Sequence, residues 1–408
     1  MEVFYPRCAG LDVHKDTVVA CARVVDDHNR VHLEVRSFEA TVQGLVALSD
    51  FLRTHMCTHV AMEATGVYWK PVWHVLEGSF ELVLANAAHI RNVPGRKTDV
   101  NDATWIAELL AHGLIRSSLV PPQHIQELRD LTRTRKQLVR QVARTTLRLQ
   151  KTLEDANIKL SSVVSDTVGA SGRAIIQALI DGETDPQRLI ARTTGRLKAS
   201  DERLAEALRG RVTEHHRFML RLHLDQLDAI KKGIAQLEAR MGDALQPFRE
   251  QAAALTTIPG VSDLVAQTII AEVGLDMSRF PSHRHLISWA GLCPQMNESA
   301  GKRRNSRVRK GAPWLKTVLV QAAWACTRTK DTYLRAQYLR LKGRRGPKKA
   351  VVAVAASILT AAYYVLRDGV KYRDLGGDYF AKRDKDRTVR RLTHRLQSLG
   401  YEVQLKAA

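Results

Sequence analysis

The chain has 408 residues, enough for two or three domains with buried cores. Its hydrophobic content of 45% with mixed charges excludes a disordered chain, and 63 Lys and Arg against 42 Asp and Glu, a formal +21, point to a polyanionic partner. Nucleic acid fits that excess first and an anionic membrane surface a distant second.

Five scattered cysteines (Cys8, Cys21, Cys57, Cys293 and Cys326) show neither CxxC nor Cys/His ligand spacing. They read as reduced thiols in a cytosolic protein, not as disulfides or a zinc site. Met1–Gly10 carries no apolar run, so no signal peptide is expected. The longest apolar stretch, Ala350–Leu366, is Ala-rich and short of the ~20 residues a membrane span needs. It reads as a buried helix, and no membrane partner is expected.

Residues 8–115 alternate strands and helices, and residues 1–120 form the first predicted domain. Gly10–Val25 is one strand running into a second, Asp26–Asn29 is a turn, and Val31–Ala40 alternates as a third strand. Thr41–His55 is an amphipathic helix with Leu45, Leu48 and Leu52 on one face, and His59–Gly66 and Phe80–Asn86 are short buried strands. A helix over Asp99–His112 follows. Three opening strands and then helix–strand repeats suggest a mixed sheet of the ribonuclease H type within the α/β class.

Asp12 and Glu63 each interrupt an apolar strand, while Asp99 and Asp102 open the last helix at i, i+3, on one face. Acids at strand ends and at a neighbouring helix N-terminus can converge on one point. Four carboxylates together repel unless cations sit between them, which is how a two-Mg²⁺ site is built. Taken alone, Asp99 and Asp102 are also an ordinary acidic first turn that suits the helix dipole.

Pro121–Pro122 closes this domain, and residues 121–250 read as a helical coiled-coil or dimerisation region. Leu128, Leu131, Leu138, Val142, Thr145 and Leu149 recur three and four apart, with Arg135 as the exception. Leu227, Ile230, Ile234, Leu237, Met241 and Leu245 repeat the pattern. Arg129, Arg133, Arg140, Arg144 and Arg148 can follow a phosphate backbone or simply form a solvated face. Residues 161–215 read as helical and charged, with breaks near Gly182–Pro186 and Thr193–Gly195.

Residues 251–370 form a mainly α C-terminal domain, and residues 371–408 a charged tail. Thr256–Gly274 resembles a helix-hairpin-helix, whose turn amides can hold a phosphate. In Gly291–Gly311, Ser299 lies between Asn297 and Gly301 and precedes Lys302, Arg303, Arg304, Arg307, Arg309 and Lys310. Between Lys302 and Lys349 there are sixteen Lys or Arg and one acid, Asp331, so the positive charge is concentrated beside this serine. A hydroxyl in a cationic loop suits phosphoryl chemistry: the cations hold phosphates and neutralise developing charge while the serine attacks. A solvated basic loop is the plainer reading of that stretch alone.

With GLDVHK, MEATGVYW, KTDVNDA and then IPGV, ESAGKRR, RKG and LVQAAW in order, the chain resembles the IS110-family transposases over nearly its whole length. The resemblance implies a RuvC-like DEDD domain whose quartet matches Asp12, Glu63, Asp99 and Asp102, and a nucleophilic serine that matches Ser299. It further implies Mg²⁺, donor and target DNA, a non-coding bridge RNA, and homodimers or homotetramers in which the serine of one protomer meets the acids of another. The expected setting is the bacterial cytoplasm, on the nucleoid when acting. Many members carry Ser-Gly where this chain has Ser-Ala-Gly, which leaves Ser306 as an alternative register. The expected activity is site-specific DNA recombination through a serine–DNA bond. Two rivals are a RuvC-like nuclease using water and a non-catalytic nucleic-acid scaffold.

Overall fold

Alternation of small and β-branched residues builds three consecutive strands: β1 (Arg7–Val13), β2 (Thr17–Val25) and β3 (Val31–Glu39). The computed structural model describes residues 2–64, 66–86, 90, 102–194, 197–294, 297–299, 301–305, 307–309, 311–383 and 385–405; for 297–299, 303–305, 387 and 388 it describes the backbone alone. The chain divides into two units, Met1–Val120 and Pro121–Ala408.

In the first unit the β2–β3 turn forms where Asp26 accepts hydrogen bonds from the amides of His28 (2.9 Å) and Arg30 (2.8 Å). Helix α1 (Val42–Thr54) starts at Thr41, whose hydroxyl caps the Gly44 amide. Then come β4 (His59–Glu63), α2 (Trp69–Leu76), β5 (Glu81–Ala85) and α3 (Asp102–Ala111). The sequence reading missed α2; the expected helix start at Asp99 lies outside the described residues, and α3 is described from Asp102. The sheet order is β3-β2-β1-β4-β5, antiparallel from β3 to β1 and parallel from β1 to β5. Leu11, Val60 and Met62 bury one face against Leu48 and Leu52 of α1 and Leu76 of α2. Cys8, Ala61 and Ala85 bury the other face against Ile106 and Leu110 of α3.

The second unit starts with α4 (Gln123–Asp155) and returns along α9 (Glu214–Ala244). Asp155 meets His216 at 3.0 Å and Arg135 meets Glu238 at 2.6 Å, so the two helices run antiparallel. Arg135, the polar exception in the predicted seam, thus reaches across it. Between them lie α5 (Leu160–Val163), α6 (Ala170–Ile180), α7 (Pro186–Ile190) and α8 (Asp201–Ala207). The sequence reading of residues 161–215 as charged overlooked an apolar core there: Ile175, Ile176, Leu189 and Leu204 pack with Leu149, Leu153, Leu220 and Leu224.

The remaining elements are α10 (Arg249–Thr256), α11 (Asp263–Val273), α12 (His283–Trp289), strands β6 (Asn297–Ser299) and β7 (Lys302–Asn305), α13 (Pro313–Cys326), α14 (Tyr333–Arg345), α15 (Pro347–Asp368), α16 (Tyr379–Arg383) and α17 (Lys385–Ser398). At 22 residues α15 exceeds the expected Ala350–Leu366 and is long and apolar enough to cross a membrane. It packs instead on α12, α13 and α14 and buries Val354, Ile358 and Leu359 completely.

Candidate active site

Alternation along β1 sends residues 8, 10 and 12 to one face of the sheet. That face meets α3: the Cys8 thiol donates to the Ala107 carbonyl at 3.6 Å, and a Cβ on Gly10 would lie 2.2 Å from the Ala103 oxygen. Only glycine lets the helix backbone approach this closely. At the far end of the helix the Ala111 carbonyl accepts from the amides of Phe4 and Tyr5, just before β1 begins. Helix α3 therefore runs opposite to β1, and its N-terminal Asp102 lies on the Asp12 side of Gly10.

The parallel β1–β4 register ends at Leu11↔Met62, with Asp12 and Glu63 one step beyond. Glu63 shares its face with Ala61, which packs in the α3 layer. Strand register and helix direction thus bring Asp12, Glu63 and Asp102 to one face and one end of the sheet. Among the described residues no three His, Cys, Asp or Glu side chains stand close enough to share a metal ion. Asp99 lies outside the described residues. Sequence reasoning missed His14, whose Nε2 stands 3.2 Å from Asp12 Oδ2. The spacing was legible, since His14 lies two residues past Asp12, directly beyond the end of β1.

Ser299 is the last residue of β6 and pairs with Lys302 of β7. The expected basic loop is therefore a hairpin, with Gly301 at φ +71° supplying the left-handed backbone that a two-residue connection requires. Pro294 and Val308 form a further bridge below it. At the foot Gly291 has φ +69°, and a Cβ there would lie 2.8 Å from the Gly311 Cα. Two touching glycines thus close the whole 291–311 excursion. Lys302, Arg307 and Arg309 are exposed, and Arg309 donates to the Ser288 hydroxyl at 3.3 Å. The side chains of Ser299, Arg303 and Arg304 are outside the description, as are Ser306 and Lys310 altogether.

One further expectation changes: Arg129 and Arg133 of α4 are not available to a phosphate backbone. Arg133 makes a bidentate pair (2.7 and 2.8 Å) with the buried Glu272 of α11, and Arg129 donates to the Ala271 and Glu272 carbonyls. A lone acid in the apolar run of α11 was the signal, because a buried carboxylate needs cations beside it. In the α10–α11 turn the amides of Thr257 and Ile258 donate to the Ala254 and Leu255 carbonyls of α10 and that of Val261 to the Ile258 carbonyl, while a Cβ on Gly260 would lie 2.3 Å from the Ala322 oxygen of α13, so glycine there permits close helix packing.

A sheet that gathers acids at one end, carried in one chain with a basic helical unit, has the parts of a DNA-processing enzyme. Residues 9–158 match the DEDD transposase family of IS110 elements, and residues 252–339 match the transposases of the IS116/IS110/IS902 family. The chain belongs to the IS110 family of transposases. Over 309 residues it is 26% identical to the uncharacterized 43.6 kDa protein of insertion element IS110 from Streptomyces coelicolor, covering 68% of this chain and 73% of that protein. Over 371 residues it is 23% identical to the pilin gene-inverting protein of Moraxella bovis, covering 88% of this chain and 95% of that one. Membership implies DNA as substrate, and a DEDD domain implies dependence on a divalent metal.

Proposed function

We propose that this chain is the recombinase of an insertion sequence, cutting and rejoining DNA through a covalent bond between Ser299 and a DNA 5′ phosphate. The observation that carries this reading is the position of Ser299 as the closing residue of a hairpin whose opposite strand is Lys302, Arg303, Arg304 and Asn305. The strand order, with three antiparallel strands and then two parallel ones, supports a ribonuclease H or RuvC-like first domain. Relatives named for pilin gene inversion support recombination over simple cleavage.

Asp12, Glu63, Asp99 and Asp102 would hold Mg²⁺, whose preference for carboxylate oxygens fits this donor set and which supplies electrophilic help at the scissile phosphate and at the leaving 3′ oxygen. The Ser299 hydroxyl attacks phosphorus, so the Oγ–P bond forms as the P–O3′ bond breaks. The hydroxyl proton passes to solvent and the 3′ oxygen takes one up. Lys302, Arg303, Arg304, Arg307, Arg309 and Lys310 hold the neighbouring phosphates and offset the charge that develops. The phosphoserine keeps the energy of the broken ester, so a 3′ hydroxyl can reseal it without ATP. A bridge RNA paired to donor and target DNA supplies sequence choice, in keeping with a chain that shows no zinc finger or recognition helix in its motifs. Homodimers or homotetramers bring the serine of one protomer to the acids of another.

The test is cleavage of end-labelled donor and target DNA with Mg²⁺ and co-expressed flanking RNA, on denaturing gels before and after proteinase. Wild type should give a protein–DNA adduct that both Ser299→Ala and Asp102→Ala lack. Free cut ends surviving in Ser299→Ala would instead make the chain a water-using nuclease.

A further inference from the structure

Helices α4, α11 and α13 enclose a cavity of about 230 Å³ that neither the acids nor the serine hairpin explains. Its wall is the Trp314 indole, in the first turn of α13. Three cations ring that indole: Arg133 at 5.7 Å, Lys136 at 5.7 Å and Arg140 at 5.4 Å from the ring centre. Their charges are unequally compensated. Glu272, which also lines the cavity, pairs with Arg133 and stands 3.9 Å from Arg129, and Glu238 pairs with Arg135. Among the described residues no carboxylate lies within ion-pair distance of Lys136 or Arg140; Lys136 donates only to the Trp314 carbonyl, at 3.4 Å. Burial, with the neighbouring Arg140 guanidinium second, holds the Lys136 ammonium below its ordinary range against the opposing pull of Glu272. Cations crowded around one aromatic ring in a half-buried cavity lower their energy when an anion enters.

The cavity adjoins the foot of the hairpin. Gly311 leads through Ala312 and Pro313 into Trp314, and Lys316 on the same helix donates to the Arg309 carbonyl at 2.9 Å. The chain from Lys302 to Gly311 spans at most about 30 Å, the reach of a few nucleotides.

We propose that this cavity grips one phosphodiester of the DNA strand presented to the hairpin, with Lys136 and Arg140 on the phosphate oxygens and Trp314 against the adjoining sugar and base. The identity of the strand rests on the function proposed above; the unbalanced cationic cavity does not.

The test uses the full chain carrying Ser299→Ala, without Mg²⁺, so binding is read whether or not the serine is a nucleophile. Anisotropy of a labelled single-stranded DNA of about 12 nucleotides is followed across a salt series. Lys136→Met/Arg140→Met should weaken binding at least about tenfold and lower the log–log salt slope by about 0.7, the value for one phosphate on a single strand. Trp314→Leu should cost about tenfold through lost stacking. Arg144→Met/Arg148→Met removes the same charge from exposed positions on α4 outside the cavity and should cost far less. Unchanged melting curves, with Lys136→Gln tested beside the pair, separate this loss from misfolding. The proposal falls if the cavity variants bind within twofold of the parent or no worse than the Arg144/Arg148 pair. It also falls if they lose an RNA of the same sequence while keeping the DNA, since the cavity would then serve RNA.

Discussion

The acid-bearing end of the sheet and the serine hairpin are held in place by different means. Asp12 and Glu63 sit on strands whose neighbours Leu11, Val60 and Met62 are fully buried, and Asp102 is carried by a helix pressed onto Gly10. Moving any one acid requires disturbing a packed layer. Ser299 rides on a ribbon of two short strands, held at its base by the contact of Gly291 with Gly311. Under the function proposed above, acids sharing a cation need a fixed mutual spacing, which a core provides, and a serine that releases one strand and accepts another is better served by a small element with few packing constraints.

The largest test of this contrast is Gly10→Val. A side chain there meets the Ala103 oxygen and the Ala107 nitrogen at 2.2 and 2.4 Å, so α3 must lift off the sheet. The expected cost is about 3 kcal/mol or more. Urea unfolding should read it as a lower midpoint, and metal-dependent cleavage should be lost along with it. Cleavage intact in a Gly10→Val variant would show that the acids do not depend on that helix seat.

Gly311→Ala should act on the other region with a smaller global effect. Its Cβ would lie 2.5 Å from the Gly291 nitrogen, an overpacking worth about 1–3 kcal/mol confined to the hairpin foot. Covalent adduct should fall sharply while Asp102-dependent metal effects on melting remain. Equal loss of stability in the Gly10 and Gly311 variants would remove the distinction.

The smallest expected effect is a chemical readout without mutation. Burial pushes the thiols of Cys8 and Cys57 up to about 12 and that of Cys326 to about 11. Thiolate is the reactive form and grows as pH rises, so at pH 8 these three remain protonated as well as sealed. Cys293, two residues past the hairpin foot, is partly exposed. Alkylation followed by mass spectrometry should modify Cys293 first, with Cys8 and Cys57 protected until the protein unfolds. Early modification of Cys8 would show that the sheet opens as readily as the hairpin.

Much of this protein was determined by sequence alone. Alternation over Val31–Ala40 and short apolar runs bounded by turns elsewhere located all five strands of the first unit, and Thr41, with leucines on one face, located α1. Apolar residues three and four apart marked both long helices, and the interruption of apolar strands singled out Asp12 and Glu63. These signals are local: each depends on residues within a turn or two of one another. Tertiary structure decided what no local pattern encodes. Helix α2 was unread because its Trp- and Val-rich run shows its burial only against α1 and the sheet. Asn297–Asn305 has no apolar alternation, so its hairpin follows from closure at Gly291 and Gly311, not from strand propensity. Arg129 and Arg133 read like Arg144 and Arg148 in the sequence, yet the first two are fixed by Glu272, more than a hundred residues away, and Lys136 and Arg140 stand around Trp314 with no carboxylate at ion-pair distance among the described residues. The fate of a charge depends on which distant groups share its space, and only the packed chain sets that.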